Sequence, residues 1–208
     1  FYENISYTFN ILQNTENEKI FLKMNKNSTK LGDICKYLTS GIVTLTEKTV
    51  FKEKKDDRYK KFLRGSNIQP YLINFDNEYI LYDKKFLKKM DGVVGRSRIE
   101  EIFLSDKIIL QRISGGNKPL IATTDYEKFY TFNSVNNIVL KNSADYTLEY
   151  ITALLNSNII NWYYGTNFSN NSKLTVNISK TYLEQIPIKN ITKNEQEKIS
   201  ELVNTIMK

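Results

Sequence analysis

The sequence predicts an α+β fold, a mixed and mostly antiparallel short-strand sheet domain with packed helices and a C-terminal helix. Three observations predict it. From Leu31 onward, short apolar runs alternate with clusters of Gly, Asn, Asp, Ser and Thr, the punctuation of short strands rather than long helices. Across 146–164 the pattern changes. Leu148, Ile151, Leu154, Leu155, Ile159 and Trp162 recur at spacings of three and four, the stripe of a helix packed on a core. Near the end, Thr192 and Glu195 stand in the capping-box relation before a narrow stripe of Ile199, Leu202, Val203 and Ile206, which starts a final amphipathic helix.

Taken in order, residues 1–30 form a lead-in. Ile20, Phe21 and Met24 at helical spacing give a short helix, and Ser28, Thr29 and Lys30 read as a linker. The compact domain spans 31–190. LGDICKYLTSGIVTLTEKTVF places Gly41 in a bend between short elements, and FKEKKDDRYKKFLR is a charged run that reads as a solvated face. In RGSNIQPYLI, Gly65 permits an unusual backbone angle and Pro70 ends any helix, while NEYILYD is a strand. FLKKMDGVVGRSRIEEIF is a glycine-containing loop leading to a short helix. KIILQR and FNSVNNIVL are strands on either side of a Gly-Gly turn and a polar Thr/Asp/Tyr segment. After the 146–164 helix comes a polar loop over 165–177, then SKTYLEQIP, closed by Pro187, and the C-terminal helix of 191–208.

Composition narrows the chemistry. The chain has 208 residues, 40% of them hydrophobic and 12% aromatic, enough for one globular domain with a core. No apolar run approaches membrane-spanning length, and the single cysteine, Cys35, rules out a disulfide scaffold and suits a reducing, cytoplasmic setting. The chain begins at Phe1 rather than Met, as a piece cut from a longer protein would. The formal charge of +7 points to an anionic partner such as nucleic acid, although part of the lysine excess is what an AT-rich gene produces. The arginines, Arg58, Arg64, Arg96, Arg98 and Arg112, say more, because a guanidinium grips guanine or phosphate bidentately. Histidine is absent, which removes Ser-His-Asp and Cys-His catalysis and every His-ligated metal site.

Three kinds of site can be weighed. Glu53-Lys54-Lys55, with Asp33 upstream, has the carboxylate–x–lysine spacing of some nucleases, but its acids sit in the charged run and not on an apolar strand. A methyltransferase needs a Gly-rich cofactor turn and, for adenine, an Asn/Asp-Pro-Pro-aromatic motif. Here Pro70, Pro119 and Pro187 are isolated. A DNA-reading module needs cations for phosphates and Arg, Asn, Gln or Ser for base edges. Four loops supply these: 41–48 with Thr44, Thr46 and Lys48; 64–67 with Arg64, Ser66 and Asn67; 96–98 with Arg96 and Arg98; and 112–118 with Arg112, Ser114, Asn117 and Lys118. Lys173, in the polar loop, adds a cation. Arg112 is either a DNA reader at the end of the KIILQR strand or a structural cation paired with a carboxylate such as Asp125.

An ordered set of segments carries a family resemblance over 31–208. It comprises LGDI followed by SGI, RGSNIQPY before ILYD, SDKIILQRIS, FNSVNNIVL, LEYITALLNS, ISKTYLEQIPI and EQEKI. Together they resemble the TaqI-like C-terminal specificity domain of adenine-specific DNA methyltransferases and fused restriction–modification enzymes. The resemblance implies a non-catalytic unit that reads a target in double-stranded DNA. A linked or associated methyltransferase domain, lying upstream of Phe1, would use S-adenosylmethionine and flip the adenine. This piece itself would need no cofactor. The ending IPIKNITKNEQEKI also resembles type I restriction specificity subunits, which makes one half of such a subunit the alternative, and a protein-interaction module without DNA affinity the third reading.

Overall fold

The computed structural model describes residues 15–44, 49–83, 94–96, 99–168 and 175–208. The lead-in helix α1 (Thr15–Asn25) opens on Glu16 and Glu18 and carries Lys23 in its last turn, charges that complement the helix dipole. The segment read as a linker is instead a strand, β1 (Ser28–Lys30), which pairs antiparallel with Pro187–Lys189 near the other end of the chain. Next come α2 (Leu31–Ile34), β2 (Cys35–Ser40), β3 (Val43–Thr44), β4 (Val50–Phe51) and β5 (Tyr59–Leu63). A 3-10 turn, Gly65–Asn67, leads to β6 (Ile68–Gln69), β7 (Leu72–Ile73), β8 (Tyr79–Leu81) and β9 (Val94–Arg96). Then follow α3 (Glu101–Leu104), β10 (Lys107–Gln111), β11 (Ile113–Ser114), β12 (Ala122–Asp125), β13 (Tyr130–Thr131) and β14 (Val135–Leu140). The chain ends with α4 (Leu148–Asn156), α5 (Asn158–Phe168), β15 (Val176–Asn177), α6 (Lys180–Leu183), β16 (Pro187–Lys189) and α7 (Lys193–Ile206).

The architecture is α+β, with small and mostly antiparallel sheets. The central sheet has the order β12-β10-β14-β2, antiparallel throughout. β10 is buried on both faces, which is why Ile108, Ile109 and Leu110 form an unbroken apolar run. Ile108 and Leu110 face a core that includes Ile138 of β14, Ile151 and Leu155 of α4, and Ile178, Leu183 and Ile188. Ile109 points the other way, into a cluster with Leu63, Ile68, Phe129 and Val135. A second sheet, β13-β5-β8-β4, adds the parallel pair of β13 with β5. Its core gathers Phe62, Ile80, Phe103 and Tyr130, with Phe103 and Tyr130 stacked at 4.6 Å. Cys35 lies in the larger core, where burial, with Glu184 adding to it, pushes the thiol up to about 12. It is inert. No described helix is long and apolar enough to cross a membrane.

One helical expectation is corrected and a second is made finer. The helix read over 146–164 is two, because Ser157 adopts an extended backbone between α4 and α5. Its hydroxyl accepts from the Ile160 amide and so starts the second helix. Ile151 and Leu155 are buried as the stripe requires, but Ile159, past the break, is exposed. In α7 the capping box of Thr192 and Glu195 is formed. The helix docks through Val203 and through Gln196, which accepts from the Thr147 amide and donates to Asp145 O. Leu202 and Ile206, expected in the same stripe, are 67% and 62% exposed.

Among the described residues a buried ion pair forms between Lys107, at the start of β10, and Asp125 directly across on β12. Both side chains are fully buried. Lys107 Nζ also donates to Phe103 O at 3.0 Å, while Asp125 accepts from the amides of Glu127 and Phe129. Burial pulls the lysine down and the carboxyl up, each opposed by its partner. Removing one member strands a desolvated charge. Lys107→Ala is therefore expected to lower stability by about 3–5 kcal/mol in a denaturant titration, and Lys107→Met with Asp125→Leu by much less.

Candidate nucleic-acid interface

The turn between β13 and β14 together with the first residue of β14, residues 132–135, joins three of the four loops chosen from the sequence. A buried backbone donor needs an acceptor, and this turn supplies acceptors from several directions. Ile42 N–H donates to Thr131 O at 2.8 Å and Gly41 N–H to Val135 O at 2.9 Å, which docks the 41–48 loop. Gly65 N–H donates to Ser134 Oγ at 2.9 Å and Phe132 N–H to Leu63 O at 2.8 Å, which docks the 64–67 loop. Arg112 N–H donates to Ser134 O at 2.8 Å, and its Nη1 to Asn133 O at 3.2 Å, which docks the 112–118 loop.

The two glycines are required by this closeness. A Cβ on Gly41 would lie 2.2 Å from Thr131 O and 2.4 Å from Phe132 O, and one on Gly65 would lie 2.8 Å from Ser134 O. Gly65 thus serves close approach. The unusual angle expected of it belongs among the described glycines to Gly116, at φ +77°. The fourth loop joins by strand pairing, since β9 runs antiparallel to β3 with Val43 opposite Arg96 and Thr44 opposite Val94. Thr46, Lys48, Arg98 and Lys173 lie outside the described residues, as does most of the glycine loop before β9.

The loop residues divide by what holds them. Arg64 donates from Nε to Glu78 at 2.7 Å and lies 5.3 Å over the Phe132 ring. Burial pushes Glu78 up, but Arg64 and Lys52 outweigh it and hold the carboxyl below the usual carboxylate range. Asn67 closes the turn, accepting from Arg64 N–H at 2.7 Å and donating to Asn74 O at 2.9 Å. Ser66 is exposed between them. Arg112 is half-buried on the turn carbonyl, and the carboxylate suggested for it, Asp125, belongs to Lys107. Ser114 Oγ donates to Pro119 O, closing a loop on which Asn117 and Lys118 stand exposed. Lys118 has no carboxylate partner among the described residues, which leaves it open to a phosphate.

Sequence reasoning missed Ser134, Asn133 and the paired asparagines that stiffen β14. Asn136 donates to Ile178 O at 2.9 Å, fixing the segment after β15, and Asn137 bonds Thr131 Oγ1 at 2.8 Å. The polar run NSVNN inside an apolar strand was the available signal. In the carboxylate–x–lysine pattern Glu53 and Lys55 are both exposed, and Lys54 between them is paired with Asp57 at 3.1 Å.

A profile of the TaqI-like C-terminal specificity domain matches residues 60–188. No curated protein sequence matches the chain. Among solved structures, the HsdS subunit from Thermoanaerobacter tengcongensis aligns with a TM-score of 0.45 and 12% identity. The alignment covers 92% of this chain and 44% of that one, so the chain spans less than half the length of that subunit.

The loop residues should separate in a paired test of stability. Arg64→Ala leaves Glu78 with Lys52 as its remaining cation and removes a ring contact, so unfolding free energy should fall by about 1–3 kcal/mol. Because the folded Glu78 value is depressed, its contribution is complete above the unfolded carboxylate range and fades as pH falls through the lower folded value. The variant should show a smaller acid-side decline, the part that Lys52 still supports. Lys118→Ala should change stability by no more than about 0.5 kcal/mol.

Proposed function

Because the chain belongs to the TaqI-like C-terminal specificity domain family, we propose that it reads a DNA target for a restriction–modification enzyme of the adenine-N6 type. The reading unit is 31–190, with 1–30 as its lead-in and 191–208 as a docked helix. It does no chemistry itself. A linked or associated methyltransferase domain binds S-adenosylmethionine and takes the flipped adenine, while this domain holds the duplex and reports its sequence.

The observation that carries the proposal is the turn at 132–135. It gathers three polar loops of different sequence origin on one anchor, in a chain of net charge +7. Loops fixed relative to one another by backbone hydrogen bonds hold base-reading groups in register with a groove, and exposed lysines such as Lys118 meet phosphates. A second reading, one half of a type I specificity subunit, draws support from α7, whose Leu202 and Ile206 leave an apolar edge free for a further helix.

Binding to duplex DNA should weaken steeply between low and physiological salt, since released counterions supply much of the affinity. Fluorescence anisotropy over a salt series measures it, and a flat dependence, or no binding in dilute buffer, would favour a protein-interaction module. In isothermal calorimetry the chain should give no heat with S-adenosylmethionine.

A further inference from the structure

β11 and β15 form a two-stranded ribbon that stands apart from the larger sheets. Its register pairs Ile113 with Asn177 and Ser114 with Val176. Ile178 N–H donates to Arg112 O at 2.7 Å, so Arg112 and Ile178 are a hydrogen-bonded pair. Antiparallel pairs alternate, which makes Ile113 and Asn177 a non-hydrogen-bonded pair, with Cα atoms about 4.5 Å apart and side chains close together.

The ribbon has two faces. On the inner one, Val176 is buried in the main core and Ser114 is tied to Pro119 O. On the outer one, Ile113 is 55% exposed, and Asn177 is exposed with no hydrogen-bond partner among the described residues. A branched apolar side chain and a free amide therefore sit side by side on an open surface. Through Arg112 this surface is bonded to the 132–135 turn, so it is held in place relative to the other loops.

That combination matches one base pair. In the major groove an A·T pair shows an acceptor (N7) and a donor (N6) on adenine, which one amide satisfies together, and a methyl group on thymine, which wants an apolar contact. The groove is about 12 Å wide and admits a two-stranded ribbon. G·C offers no methyl group, and guanine shows two acceptors (N7 and O6), so the amide oxygen finds no donor on that base. We propose that Ile113 and Asn177 are specificity-determining residues that read one A·T pair, Asn177 on adenine and Ile113 on the thymine methyl. The inference rests on the DNA-reading function proposed above and deepens it.

The test starts with the full chain and a library of randomised duplexes, from which bound sequences are selected. Each thymine of the resulting consensus is then replaced by uracil, which removes only the methyl group. At one position uracil should weaken binding about fourfold, the worth of one buried methyl group. Ile113→Ala should abolish that difference at the same position while Ile113→Val keeps most of it, and Asn177→Ala should lose the preference for A·T over G·C there by about tenfold. Both side chains are exposed, so melting temperatures should not move. A consensus in which no thymine shows a methyl dependence removed by Ile113→Ala overturns this assignment and leaves the DNA-reading function standing. Failure to select any consensus overturns that function, and the assignment with it.

Discussion

Backbone hydrogen-bond satisfaction at one turn is the constraint on which the arrangement of loops depends. Residues 132–135 carry acceptors that the amides of Gly41, Gly65 and Arg112 use, and Ile42 bonds to Thr131 just before them. Each of these donors comes from a segment that leaves a strand and would otherwise be free to wander. Losing a buried partner costs roughly 1–3 kcal/mol, so each loop start is fixed at the point where it departs from the fold. The loops can vary in sequence beyond these starts without losing their common origin.

The turn is itself held from behind. β14 leaves it as an inner strand of the central sheet, beside β10, and Lys107 with Asp125 pins the other end of β10 to β12. The buried pair is a poor source of net stability, because desolvation offsets most of the attraction. Its value lies in register. A slip of one residue between β10 and β12 would separate the charges and leave both unpaired in the core. The same register sets where β10 ends, and hence where Arg112 turns the chain into the ribbon.

Much of this was legible in the sequence where local chemistry decides. The capping box of α7, the Gly65–Asn67 turn and the β10 strand follow from nearby residues. What was not legible depends on distant partners. Ser28–Lys30 has no strand signature of its own and becomes a strand because Pro187–Lys189 lies beside it. The break at Ser157 is hidden because apolar spacing continues through it, and a serine can as well sit inside a helix as start one. Of the site, the loop residues were visible as donors, but their anchor was not. Apart from Ser134 Oγ, the acceptors of the turn are main-chain oxygens, which any residue carries. Lys107 reads as one more residue of a strand, since nothing local marks a lysine that will be buried.

The central claim is that the turn sets the positions of the loops, and Ser134→Ala tests it most directly. The substitution removes the acceptor of Gly65 N–H and leaves the main-chain oxygen that holds Arg112. Hydrogen exchange by NMR, read together with the ratio of affinities for a selected target and a scrambled duplex, gives the answer. The account predicts faster exchange at Gly65, retained protection through β10 and β14, and a reduced affinity ratio. Faster exchange at Gly65 with the ratio unchanged would contradict it.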